Sequence, residues 1–262
     1  RRQRQMCIRD SIKTISALGG YAATAITAIT VQNTLGVQAV HPVPAELVGE
    51  QMQAVMEDLR PDAIKIGMTG NVEIISEIAR LLHQYSPRQV VLDPVMVSTS
   101  GHNLMTDEAV EAICTLLLPE VSLVTPNLHE AAVLLQQPIH TVDDMEYAAH
   151  LVYEKYHCAC LVKGGHLTGN EMCDVLYDGH ELHLFGARRI HSGNLHGTGC
   201  TLSSAIATFL AQGFPLYEAV ELAKTYITKA IEAGKDLHIG QGNGPLCHFP
   251  YLVNPVNPLT EE

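Results

Sequence analysis

Short apolar runs of strand type alternate along this chain with longer segments of helical period, and nearly every short run ends on a glycine or a polar residue. Ala63–Ile66 stops at Gly67, Gln89–Leu92 at Asp93-Pro94, Ser122–Val124 at Thr125-Pro126-Asn127, and Cys160–Val162 at Lys163-Gly164-Gly165. Between them, Ala45–Leu59, Val72–His83, Thr106–Leu117 and Asp143–Tyr156 repeat apolar residues at helical spacing. A strand that returns through a helix to the next strand forms a parallel sheet covered on both faces. The expected class is α/β with a mostly parallel central sheet, and in such sheets ligands sit at the carboxyl ends of the strands. Ala23–Val31 is a further β-rich run. Its end at Gln32-Asn33 is expected to join Lys65-Ile66-Gly67-Met68, Asp93-Pro94, Asn127 and Lys163-Gly164-Gly165 in one rim. Ile12–Leu18 reads as helix ending at Gly19-Gly20. Val175–Tyr177 and Glu181–Phe185 read as a hairpin around Asp178-Gly179, and Thr198–Gln212 and Leu216–Ala233 as long helices.

No Pro/Ser/Gly-rich linker or charge block divides the 262 residues, which are enough for one large core. Net charge is −12 with no basic stripe, so nucleic-acid and membrane-surface binding are not expected. An acidic chain that binds a phosphorylated ligand must use local backbone amides, a few cations and a metal ion. The seven cysteines are odd in number and form no CxxC pair, so neither a disulfide framework nor a structural zinc site is expected. Cys158 and Cys160 read as core-facing strand residues. No apolar run is long enough to cross a bilayer and no signal peptide is seen, so the default is an intracellular, soluble protein.

The strongest local signal is Asn194-Leu195-His196-Gly197-Thr198-Gly199-Cys200-Thr201, followed by a helix of small and apolar residues. Glycines there let the backbone turn tightly and present successive N–H groups, and the helix dipole points at the same spot. The alternative is an ordinary glycine turn ahead of a helix. Asp93 follows a buried strand and can position Mg²⁺ directly or through water. The alternative is a loop aspartate capping a turn. Asn127 and Glu130 share the first turn of a helix, where they can hold metal-bound water or simply cap that helix. Lys163 before two glycines suits close approach to phosphates. Gly240, Gly242 and Gly244-Pro245 form either a nucleotide-bordering loop or a plain turn. Gln32 and Asn33 can read a heteroaromatic ring through paired donor and acceptor bonds, with Met68 and Val95 as walls or merely as core.

The first ten residues, RRQRQMCIRD, carry four arginines and no strand or helix pattern. Together with the start of Ser11 they are similar to the forward translation of a transposase-type sequencing-library adapter. Residues 1–10 are therefore expected to be non-native, with a single, N-terminally truncated domain over 11–262.

Taken together, several segments resemble the bacterial hydroxymethylpyrimidine/phosphomethylpyrimidine kinases of the ribokinase-like superfamily. They are SIKTISALGGY (Ser11–Tyr21), TAITVQNTLGV (Thr27–Val37), IKIGM (Ile64–Met68), VVLDPVM (Val90–Met96), TPNLHEA (Thr125–Ala131), LVKGGH (Leu161–His166), HGTGCTLSSAIA (His196–Ala207) and GQGNGPLCHF (Gly240–Phe249). The resemblance implies a three-layer α/β/α fold whose first strand is missing here. It also implies ATP-dependent phosphorylation of 4-amino-5-hydroxymethyl-2-methylpyrimidine and of its monophosphate, for thiamine synthesis in the cytoplasm. ATP and Mg²⁺ are the implied cofactors and a homodimer the implied assembly.

Carried over residue by residue, Gln32 bonds the aminopyrimidine, and Met68 and Val95 line its pocket. Asp93 and Glu130 support the metal, and Asn127, Lys163 and Thr201 the nucleotide. Gly197, Thr198, Gly199 and Cys200 form the anion hole. Cys200 stands where sugar-kinase relatives carry a catalytic aspartate, as base or as anion-hole member. The family opens with a strand and a Gly-rich segment that closes over the pyrimidine. The decapeptide in their place implies a poorly stable or inactive polypeptide. The alternatives are a pyridoxal/pyridoxine kinase and a pyrimidine-binding protein without catalysis.

Overall fold

The computed structural model describes residues 7–96, 105–165 and 171–252. Arg1–Met6 of the decapeptide, His166 and the tail from residue 253 lie outside them. Within them the chain runs α1 (Cys7–Ala17), β1 (Ala28–Asn33), β2 (Gly36–Pro42), α2 (Ala45–Asp58), β3 (Ile64–Ile66), α3 (Val72–Tyr85), β4 (Val90–Leu92) and α4 (Asp107–Ala112). It continues with β5 (Leu123–Val124), α5 (Leu128–Leu135), α6 (Val142–Tyr156), β6 (Ala159–Val162), β7 (Glu171–Tyr177), β8 (Leu182–Arg188), α7 (Thr198–Ala211) and α8 (Leu216–Gly234).

Strands β3 to β8 form one six-stranded sheet in chain order. β3, β4, β5 and β6 are mutually parallel, and β7 and β8 turn back antiparallel at one edge. The parallel strands are only two to four residues long and, apart from Lys65 of β3 at the cleft, apolar, because both faces of the inner strands are covered. Successive side chains point to opposite faces and so feed two cores. Val90, Leu92, Val124, Cys160 and Val162 pack with α3, α5 and α6. Val91, Leu123, Ala159 and Leu161 pack with α7 and α8. The result is the expected three-layer arrangement, with Cys158 and Cys160 in its core.

Side chains set several helix starts. Asn71 accepts from the Ile74 N–H, and Thr106 from the Ala109 N–H, as expected of an N-cap. Thr141 and Asp144 close a capping box on α6. The helix expected over Thr106–Leu117 keeps α geometry only to Ala112, then continues as a π-helical stretch over Ile113–Leu117. α1 begins at Cys7, so the last residues of the decapeptide form its first turn.

One expectation is corrected. The β-rich run Ala23–Val31 is not a strand of the central sheet. Its strand, β1, starts at Ala28 and, among the described residues, pairs with β2 alone, as a two-stranded antiparallel ribbon with a bulge between Val31 and Gln32. Ile29 and Val31 are 52% and 46% exposed, whereas a central strand is buried on both faces. Apolar composition alone does not tell a half-covered ribbon from a buried strand. The paired strand β2 was not anticipated. The hairpin around Asp178-Gly179 is present, with Tyr177 opposite Leu182 and the Asp178 carboxylate accepting from the His180 and Glu181 amides.

Candidate active site

A cleft of about 1980 Å³ runs along the carboxyl ends of the parallel strands. The ribbon, the first turn of α7 and the β7–β8 hairpin enclose it. At its centre, at the end of β4, the buried Asp93 receives a 2.7 Å hydrogen bond from the Lys163 ammonium, and Ser203 of α7 approaches its other oxygen at 3.4 Å. Burial works against the Asp93 charge. Lys163, Lys65 and the hydrogen bonds from Lys163 and Ser203 outweigh it and hold the carboxyl below the ordinary carboxylate range. Burial likewise disfavours the Lys163 charge, but Asp93 and then Glu130 raise the ammonium above its ordinary value. The pair is therefore ionised on both sides.

Asn127 and Glu130 open α5 as a reciprocal capping box. The Asn127 side chain accepts from the Glu130 N–H at 2.9 Å, and Glu130 accepts from the Asn127 N–H at 2.8 Å. Burial lifts the Glu130 pKa to about 7, opposed by Lys163 and reinforced by Asp93. Capping and cleft-lining thus fall on the same residues.

The residue ahead of α7 is Gly197, whose φ of 83° is left-handed, and no side chain caps this helix start. Gly199, the second residue of the helix, allows close approach. A Cβ there would sit 3.4 Å from Asp93 Oδ2 and 3.5 Å from Lys163 Nζ. The glycine turn ahead of α7 is therefore directly against the Asp93–Lys163 pair. On the other side, the Gln32 amide lies 3.3 Å from His196 Nε2. Burial lowers the His196 pKa, so the ring is neutral at neutral pH. The turn before α7, Asp93 and Gln32 are brought together around one open space.

The family profile described as phosphomethylpyrimidine kinase matches residues 8–247. The chain belongs to this family. A hydroxymethylpyrimidine/phosphomethylpyrimidine kinase from Rhizobium meliloti is 51% identical over 244 residues, covering 92% of this chain and 91% of that protein. The crystal structure of phosphomethylpyrimidine kinase from Clostridium difficile 630 superposes with a TM-score of 0.77 at 42% identity, over 86% of this chain and 92% of that one. The Staphylococcus aureus pyridoxal kinase in complex with AMP-PCP and pyridoxal gives a TM-score of 0.85 at 30% identity, over 94% and 89%.

In this family member, Gln32, Met68, Val95, Asp93, Asn127, Glu130, Lys163, Gly197, Thr198, Gly199 and Cys200 all line the cleft. Thr201 does not. It is fully buried, and its hydroxyl lies 3.3 Å from His248 Nε2 behind the turn, so its position gives no support to a nucleotide contact. Facing inward at the fourth position of α7 is a consequence of helical period that the motif string does not display. The loop at Gly240–Gly242 meets the ribbon, where the Thr34 hydroxyl accepts from the Gln241 and Gly242 N–H groups at 3.2 Å.

Among the cleft residues to which the sequence assigns no chemical role are Lys65, His196, Asp174 and Lys224. His196 stood inside the strongest motif and Lys65 at a strand end, so position could have flagged both. Asp174 and Lys224 have no local pattern. Asp10 is a further surprise. It is 2% exposed in α1, against Gly197, where a Cβ would overlap its carboxyl. Burial, and next the nearby Cys200, raise its pKa to about 7 against the pull of Lys13, Lys65 and Arg9.

Proposed function

We propose that this chain transfers a phosphoryl group from ATP to 4-amino-5-hydroxymethyl-2-methylpyrimidine and then to its monophosphate, in thiamine biosynthesis. The observation that carries the proposal is the single cleft in which an uncapped helix start abuts the Asp93–Lys163 pair and faces Gln32. In phosphoryl transfer the protein contributes chiefly position and fixed charge. The turn at Gly197–Cys200 receives the charge of the group in flight, and Lys163, held by Asp93, adds a fixed cation beside it. Gln32, oriented by neutral His196, offers the donor and acceptor pair that an aminopyrimidine edge requires, between Met68 and Val95. Cys200 accepts the proton of the hydroxymethyl group as general base, a thiol at a helix start being eased toward thiolate.

Mg²⁺ neutralises phosphate charge in such reactions. Among the described residues, no three His, Cys, Asp or Glu side chains cluster as a metal site. One Asp93 oxygen is taken by Lys163 and one Glu130 oxygen by the Asn127 N–H. Asp93 and Glu130 are the residues that would hold such an ion, and it would supply charge neutralisation on the nucleotide phosphates.

Pyridoxal kinase is the second reading, favoured by the backbone likeness to the S. aureus enzyme. The higher identity to pyrimidine kinases supports the first. Measuring ATP turnover on hydroxymethylpyrimidine and on pyridoxal decides between them. A higher kcat/KM on the pyrimidine is expected, and a preference for pyridoxal overturns the assignment. No described helix is long and apolar enough to cross a membrane, which accords with the proposed cytoplasmic setting. The exposed Ile29, Val31 and Leu35 of the ribbon accord with a homodimer, which sedimentation velocity checks.

A further inference from the structure

Asp174, in the middle of β7, is a buried carboxylate that the roles above leave unused. Its Oδ1 accepts from the Gly164 N–H at 2.8 Å and its Oδ2 from the Lys224 ammonium of α8 at 2.6 Å. Both Asp174 and Lys224 line the cleft. Gly164 follows Lys163, whose own N–H is donated to Pro126 O at 2.8 Å and whose ammonium holds Asp93. Residues 163–164 are thus pinned from the ends of β4 and β5 on one side and from β7 on the other. A hydrogen bond from an amide to a carboxylate is shorter and stronger than one between neutral groups. Asp174 is in turn tied to α8 through Lys224 at 2.6 Å, as Asp93 is to α7 through Ser203 at 3.4 Å.

We propose that Asp174 and Lys224 are positioning residues for phosphoryl transfer, an inference that rests on the kinase reading above. Asp174 fixes the Gly164 amide and so the path of Lys163. Lys224 cancels the Asp174 charge, which otherwise faces the polyphosphate of the incoming nucleotide across the same cleft. The two roles separate on mutation. Asp174→Asn keeps a carbonyl acceptor for Gly164 but removes the charge. Asp174→Ala removes both. Lys224→Met leaves the charge uncompensated.

The test is steady-state kinetics on the full chain, with ATP and the pyrimidine varied in turn, beside thermal melts. Asp174→Ala is expected to lower kcat on the order of 10²-fold, since a misplacement of this kind costs that much. The pyrimidine KM should hold. Asp174→Asn is expected to keep most of kcat. Lys224→Met is expected to raise the ATP KM about tenfold through like-charge repulsion, and adding Asp174→Asn to it should bring the ATP KM back. A purely structural pair moves the melting temperature alone, and that result, or an Asp174→Asn variant as impaired as Asp174→Ala, overturns the proposal. If Asp174→Ala fails to fold, the Lys224→Met single and double variants decide the matter. If the wild-type chain shows no turnover, the kinase reading falls by itself. Titration of the Lys224→Met single and double variants with a non-hydrolysable ATP analogue then reads the same loss and recovery of affinity, whose absence rejects the inference.

Discussion

Lys163 Nζ lies 2.7 Å from Asp93 Oδ1, with side chains 15% and 3% exposed, so this ion pair of the cleft is also a buried one. Removing one partner of such a pair leaves an uncompensated charge and costs about 3–5 kcal/mol. Lys163→Met should therefore lose both turnover and stability, seen as a lower denaturant midpoint. Asp93→Asn should lose turnover with a similar loss of stability. If either variant melts like the wild type, the pair is not held as described.

Gly197 and Gly199 make opposite predictions although they are two residues apart. Gly197→Ala forces a side chain into a left-handed backbone and against Asp10, so the protein should be destabilised. At Gly199 a methyl meets Asp93 and Lys163 only at ordinary contact distance. Gly199→Ala should melt near the wild type yet lose kcat by about 10²–10³-fold, because the methyl fills the cradle for the transferred group. Calorimetry and kinetics on both variants check the contrast.

Cys200→Ser preserves size and the backbone amide but replaces a thiol with a far weaker acid. If Cys200 is the base, kcat falls by about 10²-fold or more, and Cys200→Asp retains more activity than Cys200→Ser. An unchanged kcat in the serine variant assigns the anion-hole role to the backbone alone.

Asp10 and His248 predict an unusual pH dependence. Their side chains face each other at 3.6 Å, beside Arg9, Lys13, Lys65 and Cys200. The Asp10 pKa is raised to about 7, so its contribution to stability is full below the ordinary value of 3.8 and is lost as pH rises through 7. Burial, then Lys13, pushes the His248 pKa down to about 4, so its contribution is full above 6.5 and lost as pH falls towards 4. The two slopes oppose each other between those limits. Asp10→Asn should gain stability over the wild type as pH rises from 4 to 8, with no gain below 4. A difference that is constant across that range refutes the buried, neutral carboxyl.

The periods of the sequence announced the parallel strands, because a strand buried on both faces must be short and apolar and must end where polar groups resume. They also announced α3, α6, α7 and α8, whose apolar stripes are local properties, as are the side-chain caps of α3 and α6. The ribbon was misplaced. Ala23–Val31 is as rich in β-branched residues as a central strand, and only its neighbours decide that one face meets water. Thr201 falls outside the cleft lining for a related reason: adjacency in a motif is not adjacency in a cleft once a helix turns its residues by about 100° each. Asp174 and Lys224, fifty residues apart, carried no local mark at all.

The sequence by itself determined the layering of this protein, the family it belongs to and the glycine-rich turn that opens α7. Each of these depends on short-range backbone freedom and on the order of apolar runs. Only the tertiary structure decided which charges neutralise one another, Lys163 with Asp93 and Lys224 with Asp174, and that Asp10 faces His248 at 3.6 Å. Those partnerships join segments distant in the chain, and the strength of each is set by burial, which no local pattern encodes.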